Sequence, residues 1–193
     1  SSTADSFRYE YDTVSGDFTM VAQVKEIWGN GSAPRAGIML RESNDAGARM
    51  LAIATTPGTY YTVIERTTIN AVASETVTTD SYTYPNAWLM VERVGDVVNL
   101  AVSADGSSFT QIDSVTLSSL ASIVNVGLFA SSAHVTAETV ATFDDYELTI
   151  SSAVFMQTYD GSATVADYFS ASSPSANQLN DISAEVNGGT WSI

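Results

Sequence analysis

Residues 7–25 read FRYEYDTVSGDFTMVAQVK. Phe7, Tyr9 and Tyr11 alternate with Arg8, Glu10 and Asp12, and Ser15-Gly16-Asp17 supplies turn residues. Phe18, Met20, Ala22 and Val24 then alternate with Thr19, Val21, Gln23 and Lys25. Alternation with a period of two places successive side chains on opposite faces, so the stretch predicts two half-buried strands joined by a turn.

The same reading extends outward. Arg35–Glu42, Ala48–Thr55, Tyr60–Arg66, Trp88–Val94, Val97–Val102, Phe109–Leu117, Ile123–Ala130 and Thr139–Ile150 are strand-like runs separated by turn residues. Gly95-Asp96 and Asp105-Gly106 mark hairpins. Residues 69–79 are polar and β-prone, an exposed strand, whereas Ile123–Ala130 is nearly continuous and apolar, a central one. About eleven strands over residues 1–150, with at most one helical turn at Ser118–Ser122, predict an all-β, antiparallel sandwich. Residues 151–193 form a separate tail. It has short strands, a linker-like SASSPSAN at 170–177 and a terminal hairpin signal at Asn187-Gly188-Gly189.

Composition narrows the function. The 193 residues carry 7 basic and 22 acidic side chains, a formal charge of −15, and 45% hydrophobic residues. A core is available, and nucleic acid and anionic membranes are disfavoured partners. With no Cys and one His, His134, thiolate chemistry and His-rich metal sites are excluded. All seven cations lie in residues 1–93 and six are Arg, each with few competitors for an acidic partner, so some are expected to sit in fixed pairs. No run of eighteen apolar residues occurs, so no membrane insertion is expected. The opening Ser1-Ser2-Thr3-Ala4-Asp5 lacks a leader pattern and reads as a processed start or a chosen boundary.

The stretches ADSFRYEYDTVSGDFTMVAQV at 4–24, RAGIMLRES at 35–43, AWLMVERVGD at 87–96, SADGSSF at 103–109, VNVGLFASS at 124–132 and ATFDDYEL at 141–148 carry a resemblance. In this order they resemble the concanavalin A-like jelly-roll modules of secreted bacterial surface proteins and polysaccharide-acting enzymes. The resemblance implies a jelly-roll sandwich and an extracellular location. It does not imply one function, because the fold hosts lectins, glucanases and spacers. The family's opening Gly-Gly-Thr-aromatic strand is missing before ADSFRY. The text Gly188-Gly189-Thr190-Trp191-Ser192-Ile193 stands at the far end instead, as in a circular permutant.

Three readings of the tail follow: it docks in its own chain, it docks in a neighbour, or the boundaries cut a tandem array. Docking in a neighbour makes the protein a structural subunit that polymerises head-to-tail by donor-strand exchange. Val186, Thr190, Trp191 and Ile193 would be the donor, and Phe7, Tyr9, Tyr11, Phe18 and Met20 the acceptor groove. The alternative is a carbohydrate-binding module that stacks sugars on exposed aromatics chosen from Trp28, Tyr60, Tyr61, Tyr82, Tyr84 and Trp88, with Tyr60 and Tyr61 foremost. A third option is an inert spacer or adhesin repeat. Catalysis is not expected, since no Glu-x-Asp-x-x-Glu set occurs. No cofactor is expected except calcium, for which Asp144 and Asp145 are the first candidates, with Asp80, Asp96 and Asp105 behind them. Arg41 and Arg93 read as structural ion-pair members, and SADGSSF as a hairpin turn.

Overall fold

The computed structural model describes residues 7–29, 33–57, 60–79, 85, 87–132, 137–151, 154–159 and 163–168. The chain divides into two compact units, Ser1–Thr149 and Ile150–Ile193. Eleven strands precede residue 151: β1 (Arg8–Ser15), β2 (Phe18–Gly29), β3 (Arg35–Arg41), β4 (Met50–Thr55), β5 (Tyr60–Arg66), β6 (Ser74–Thr79), β7 (Ala87–Val94), β8 (Val97–Ser103), β9 (Thr110–Thr116), β10 (Ile123–Ser131) and β11 (Thr139–Ile150). They form a six-stranded sheet, β1-β10-β3-β4-β5-β6, and a five-stranded sheet, β11-β2-β7-β8-β9. The second unit contains the antiparallel hairpin of β12 (Val154–Tyr159) and β13 (Ala163–Tyr168).

The alternation in β2 is realised as expected: Phe18, Met20, Ala22 and Val24 are fully buried. β2 packs across the sandwich on β3, which presents Ile38 and Leu40, while β7, with Leu89 and Val91, packs on β3 and on Leu51 and Ile53 of β4, and Leu100 of β8 completes the layer. Each large apolar side chain removed from water contributes about 1.5–3 kcal/mol. Phe18 and Met20 therefore cannot belong to the exposed acceptor groove expected for them. β2 is also paired on both sides, by β11 and β7. Ile123–Ser131 lies between β1 and β3, an internal strand as its apolar run predicts, and Ser74–Thr79 forms the opposite edge. Ser118–Ser122 forms a turn and no helix.

The six-stranded sheet buries side chains on both faces. Its face away from the five-stranded sheet holds a second cluster, Met39, Met50, Ala52, Ala54 and Phe129, with Phe7, Tyr9, Ile64 and Ala73 packed against it. Two glycines let the strands approach closely there. A Cβ at Gly37 would overlap the Ile53 carbonyl oxygen on β4, and one at Gly127 the Glu10 carbonyl oxygen on β1.

One end of the sandwich is knit by arginine. Arg41, Arg66 and Arg93 are almost completely buried at the ends of β3, β5 and β7. Arg41 donates to the Ser43 and Asp45 carbonyls at 3.2 and 2.7 Å. Arg66 donates to Ala71 at 2.8 Å and to Ala46 and Ala48 at 3.2 Å. Arg93 donates to Gly95 at 2.9 Å and Ser122 at 3.3 Å. Arg41 also donates to the Met39 and Met50 sulfurs at 3.8 and 3.5 Å, and the Arg93 charge helps to keep the Glu42 carboxyl ionised. One fixed ion pair at this end is Arg49–Glu42, whose Nε–Oε2 distance is 2.7 Å, and Arg49 also caps the Ser118 and Ser119 carbonyls at 2.9 Å. Asp96 receives the Ser119 and Leu120 amides at 2.8 and 3.1 Å.

Two predictions follow from this packing. Gly37→Ala must part β3 from β4 and should destabilise the sandwich by about 2–4 kcal/mol, read as a lowered denaturant midpoint; an unchanged midpoint would mean the strands can separate freely. The Glu42 carboxyl is held below the usual carboxylate range, chiefly by the Arg49 hydrogen bond and further by the Ala121 amide. Its contribution is complete above the unfolded-state value of about 4.3 and is lost as pH falls through the lower folded-state value. Glu42→Gln should therefore melt earlier at pH 7, with the difference from wild type shrinking in melts run toward pH 3.

Candidate functional site

Two clefts of about 620 Å³ each sit on the outer face of the six-stranded sheet, one running from the start of β3 to β6 and the other over β1 and the end of β3. The first is reached from the end of β2. The alternation that buries Phe18 to Val24 breaks at the exposed pair Lys25-Glu26, so Ile27 is buried and Trp28 turns outward, where 56% of its surface is exposed. Pro34 and Arg35 at the start of β3, Pro57 after β4, Thr62 on β5, and Glu75 and Val77 on β6 complete the walls. Arg35 and Glu75 form an ion pair of 2.8 Å that joins β3 to β6 across the two intervening strands. On the diagonal between them lie the small residues Ala54 and Thr62, paired with each other and flanked by Gly37 and Val77, which leave the floor low.

The second cleft lies over β1. The Tyr9 and Tyr11 rings stack at 5.0 Å with 21° between their planes, and Phe7 meets both Tyr9 and Phe129 edge-on at 6.0 Å. The Arg41 guanidinium sits 5.3 Å above the Phe7 ring. Tyr9 reaches across β10 to donate its hydroxyl to the Met39 carbonyl at 3.0 Å. Asn44 donates to the Tyr11 hydroxyl and accepts from Asn125 at 3.0 Å, and Asn125 accepts from Thr13 at 3.0 Å. Tyr146 of β11 donates to Asp12 of β1 at 2.8 Å, tying the edges of the two sheets together.

The expected sites fare unevenly. Tyr61, foremost among the sugar-contact candidates, is 1% exposed and belongs to the core, because its neighbour Thr62 takes the outer face. The Tyr60 side chain, Tyr82, Tyr84, His134 and Asp80 lie outside the described residues. Trp88 is half-buried against the Gly106 turn, which leaves Trp28 as the exposed tryptophan among the described residues. SADGSSF is a hairpin turn: Asp105 accepts the Ser107 and Ser108 amides at 2.8 and 2.9 Å, which hold its carboxyl well below the usual range.

Asp144 faces Lys25 at 3.4 Å, and Asp145 has φ 46°, which breaks the alternation that would align it with Glu147. Among the described residues no group of three or more His, Asp or Glu side chains is arranged to hold a metal ion. Val186, Thr190, Trp191 and Ile193 also lie outside the described residues, so the expected permutation and strand exchange have no described donor. Of the acceptor set, Phe7, Tyr9 and Tyr11 do come together, as the aromatic ladder of the second cleft. Arg35–Glu75 and the Asn44–Asn125 network were missed, since nothing local in sequence pairs those positions.

No family model matches the chain, and no curated protein matches its sequence. Solved structures do. A functionally unknown protein from Saccharomyces cerevisiae superposes with TM-score 0.60 at 20% identity, over 75% of each chain. The GH43 BlXynB protein from Bacillus licheniformis superposes with TM-score 0.52 at 12% identity, over 68% of this chain and 27% of its own. A family 7 alginate lyase superposes with TM-score 0.50 at 11% identity, over 73% and 72%. The fold is a jelly-roll β-sandwich. At these identities the likeness is one of fold. Among the described residues no helix is long and apolar enough to cross a membrane.

Burial pushes the Tyr9 hydroxyl well above the ordinary phenol range, and burial with the Asp12 contact pushes Tyr146 up to about 12. Both groups thus resist ionisation more in the folded chain than in the unfolded one. Their contribution is intact below the unfolded value of about 10 and is lost as pH rises beyond it. In a spectrophotometric titration Tyr9 and Tyr146 should ionise above the ordinary phenol range, and Tyr9→Phe should remove one late-ionising group.

Proposed function

We propose that the sandwich is an extracellular carbohydrate-binding module that takes a neutral saccharide in the Trp28 cleft. The observation that carries this reading is the position of Trp28, exposed on the end of a paired strand beside the Arg35–Glu75 ion pair. A pyranose ring has an apolar C–H face that packs on an indole, and its rim of hydroxyls both donates and accepts. Arg35 offers only donors and Glu75 only acceptors, so together they match a vicinal pair of hydroxyls. Because the ion pair fixes both side chains before binding, little conformational entropy is lost in the complex. The formal charge of −15 repels polyanions at range, which favours neutral over acidic sugars.

The shared fold is compatible with this reading and does not carry it. One of the superposed proteins is by its name an alginate lyase, which acts on a polysaccharide. For this chain the binding groups described above argue for recognition, and activity can be checked alongside by assaying reducing ends and unsaturated products.

The test is binding of the full chain to cellohexaose, xylohexaose and mannohexaose and their parent polymers, followed by calorimetry and tryptophan fluorescence. Trp28→Ala should weaken binding at this cleft about tenfold or more, roughly 1.4 kcal/mol, with the melting temperature little changed. Arg35→Gln should weaken it as well. Wild-type chain that binds none of these sugars, or Trp28→Ala that binds each as tightly as wild type at both stoichiometry and affinity, would defeat the reading.

A further inference from the structure

We propose that the β1 edge of the same sheet is a second saccharide site, built on Tyr11, Asn44 and Asn125, so that the module grips a polysaccharide at two points. The inference rests on the carbohydrate reading of the Trp28 cleft and adds a site of different composition. Its cleft has the same volume, about 620 Å³, and it opens on the same outer face.

The chemistry is that of a preorganised polyhydroxyl binder. Tyr11 is 43% exposed while its ring is held by the stack on Tyr9, which is in turn anchored to the Met39 carbonyl. Its hydroxyl accepts from Asn44, so the phenolic proton remains to be donated. The Asn44 amide gives one N–H to Tyr11 and accepts one bond from Asn125, which leaves a second N–H and a second lone pair. Thr13 fixes Asn125 from the far side. The groups facing a ligand are thus an aromatic surface and a rigid row of amide and hydroxyl groups with spare bonding capacity. Arg8 and Glu10 beside them are paired with each other, and Arg41, the other charged group of the lining, is buried and bonded to the Ser43 and Asp45 carbonyls, so the groups open to a ligand are neutral ones.

The spacing sets the ligand class. Arg35 lines one cleft and Arg41 the other, six residues apart at the two ends of β3, about 20 Å at about 3.3 Å per residue. A disaccharide cannot reach both clefts, and a long chain can. Linking two modest sites through one polymer raises overall affinity by about 10²–10⁴ when the geometry allows both to be filled.

Calorimetry on the full chain with a neutral disaccharide, the hexasaccharides and the parent polymer tests this. Two disaccharide sites per chain are expected, with polymer affinity at least tenfold above that of the disaccharide. Tyr11→Ala combined with Asn44→Ala should reduce the stoichiometry to one and abolish the polymer advantage, while Trp28→Ala should leave one site of the other kind. Tyr11→Phe keeps the ring, so it tests the hydroxyl should the double variant fail to fold, and it should weaken that site about threefold to tenfold. One site in the wild-type chain, lost with Trp28→Ala and untouched by Tyr11→Phe and the double variant, would overturn this inference and leave the first reading standing. No saccharide binding by wild type would overturn both.

Discussion

Three arginines hold one end of the molecule in shape. A guanidinium buried away from water needs its N–H groups satisfied, and loop carbonyls need donors once strands have stopped supplying them. Arg41, Arg66 and Arg93 meet both needs at once, because each ends a strand and points into the loops that follow it or lie beside it. The loops around 42–49, 67–73, 95–96 and 117–122 are in this way fixed to the sheets rather than left to solvent. Removing one guanidinium would strand several carbonyls together, which makes these residues structural despite their charge.

That anchored end determines what the outer face of the six-stranded sheet presents. Arg41 also lies over Phe7, and the 44–46 loop it holds carries Asn44 to the Tyr11 hydroxyl. The β1 cleft is therefore a consequence of the arginine capping. The Trp28 cleft relies on a different device, an ion pair that crosses β4 and β5 over the small residues Ala54 and Thr62. In both clefts the polar groups are fixed by protein partners before a ligand arrives, the arrangement that minimises the entropy lost on binding.

Much of the fold was legible because strand alternation is a local signal. Phe18, Met20, Ala22 and Val24 announced a core face, Gly95-Asp96 a hairpin, and the apolar run from Ile123 an internal strand. The candidate sites were legible only in part. Tyr60-Tyr61 promised one exposed ring, and the face given to Tyr61 is the core. Met39, Met50 and Phe129 look like inner-core residues in sequence, yet they form a second cluster on the opposite face.

The amino-acid sequence alone determined the strands, their turns, the all-β class and the acidic surface, since each depends on neighbours within a few residues. Only the tertiary structure decided which aromatic reaches solvent, which acid meets which arginine, and which amides line up beside Tyr11. Arg35 and Glu75 are forty positions apart, and Asn44 and Asn125 eighty-one, so their pairing exists only once strand order is fixed. The physical reason is that period-two patterning assigns a residue to a face, whereas a site requires knowing which strands that face spans.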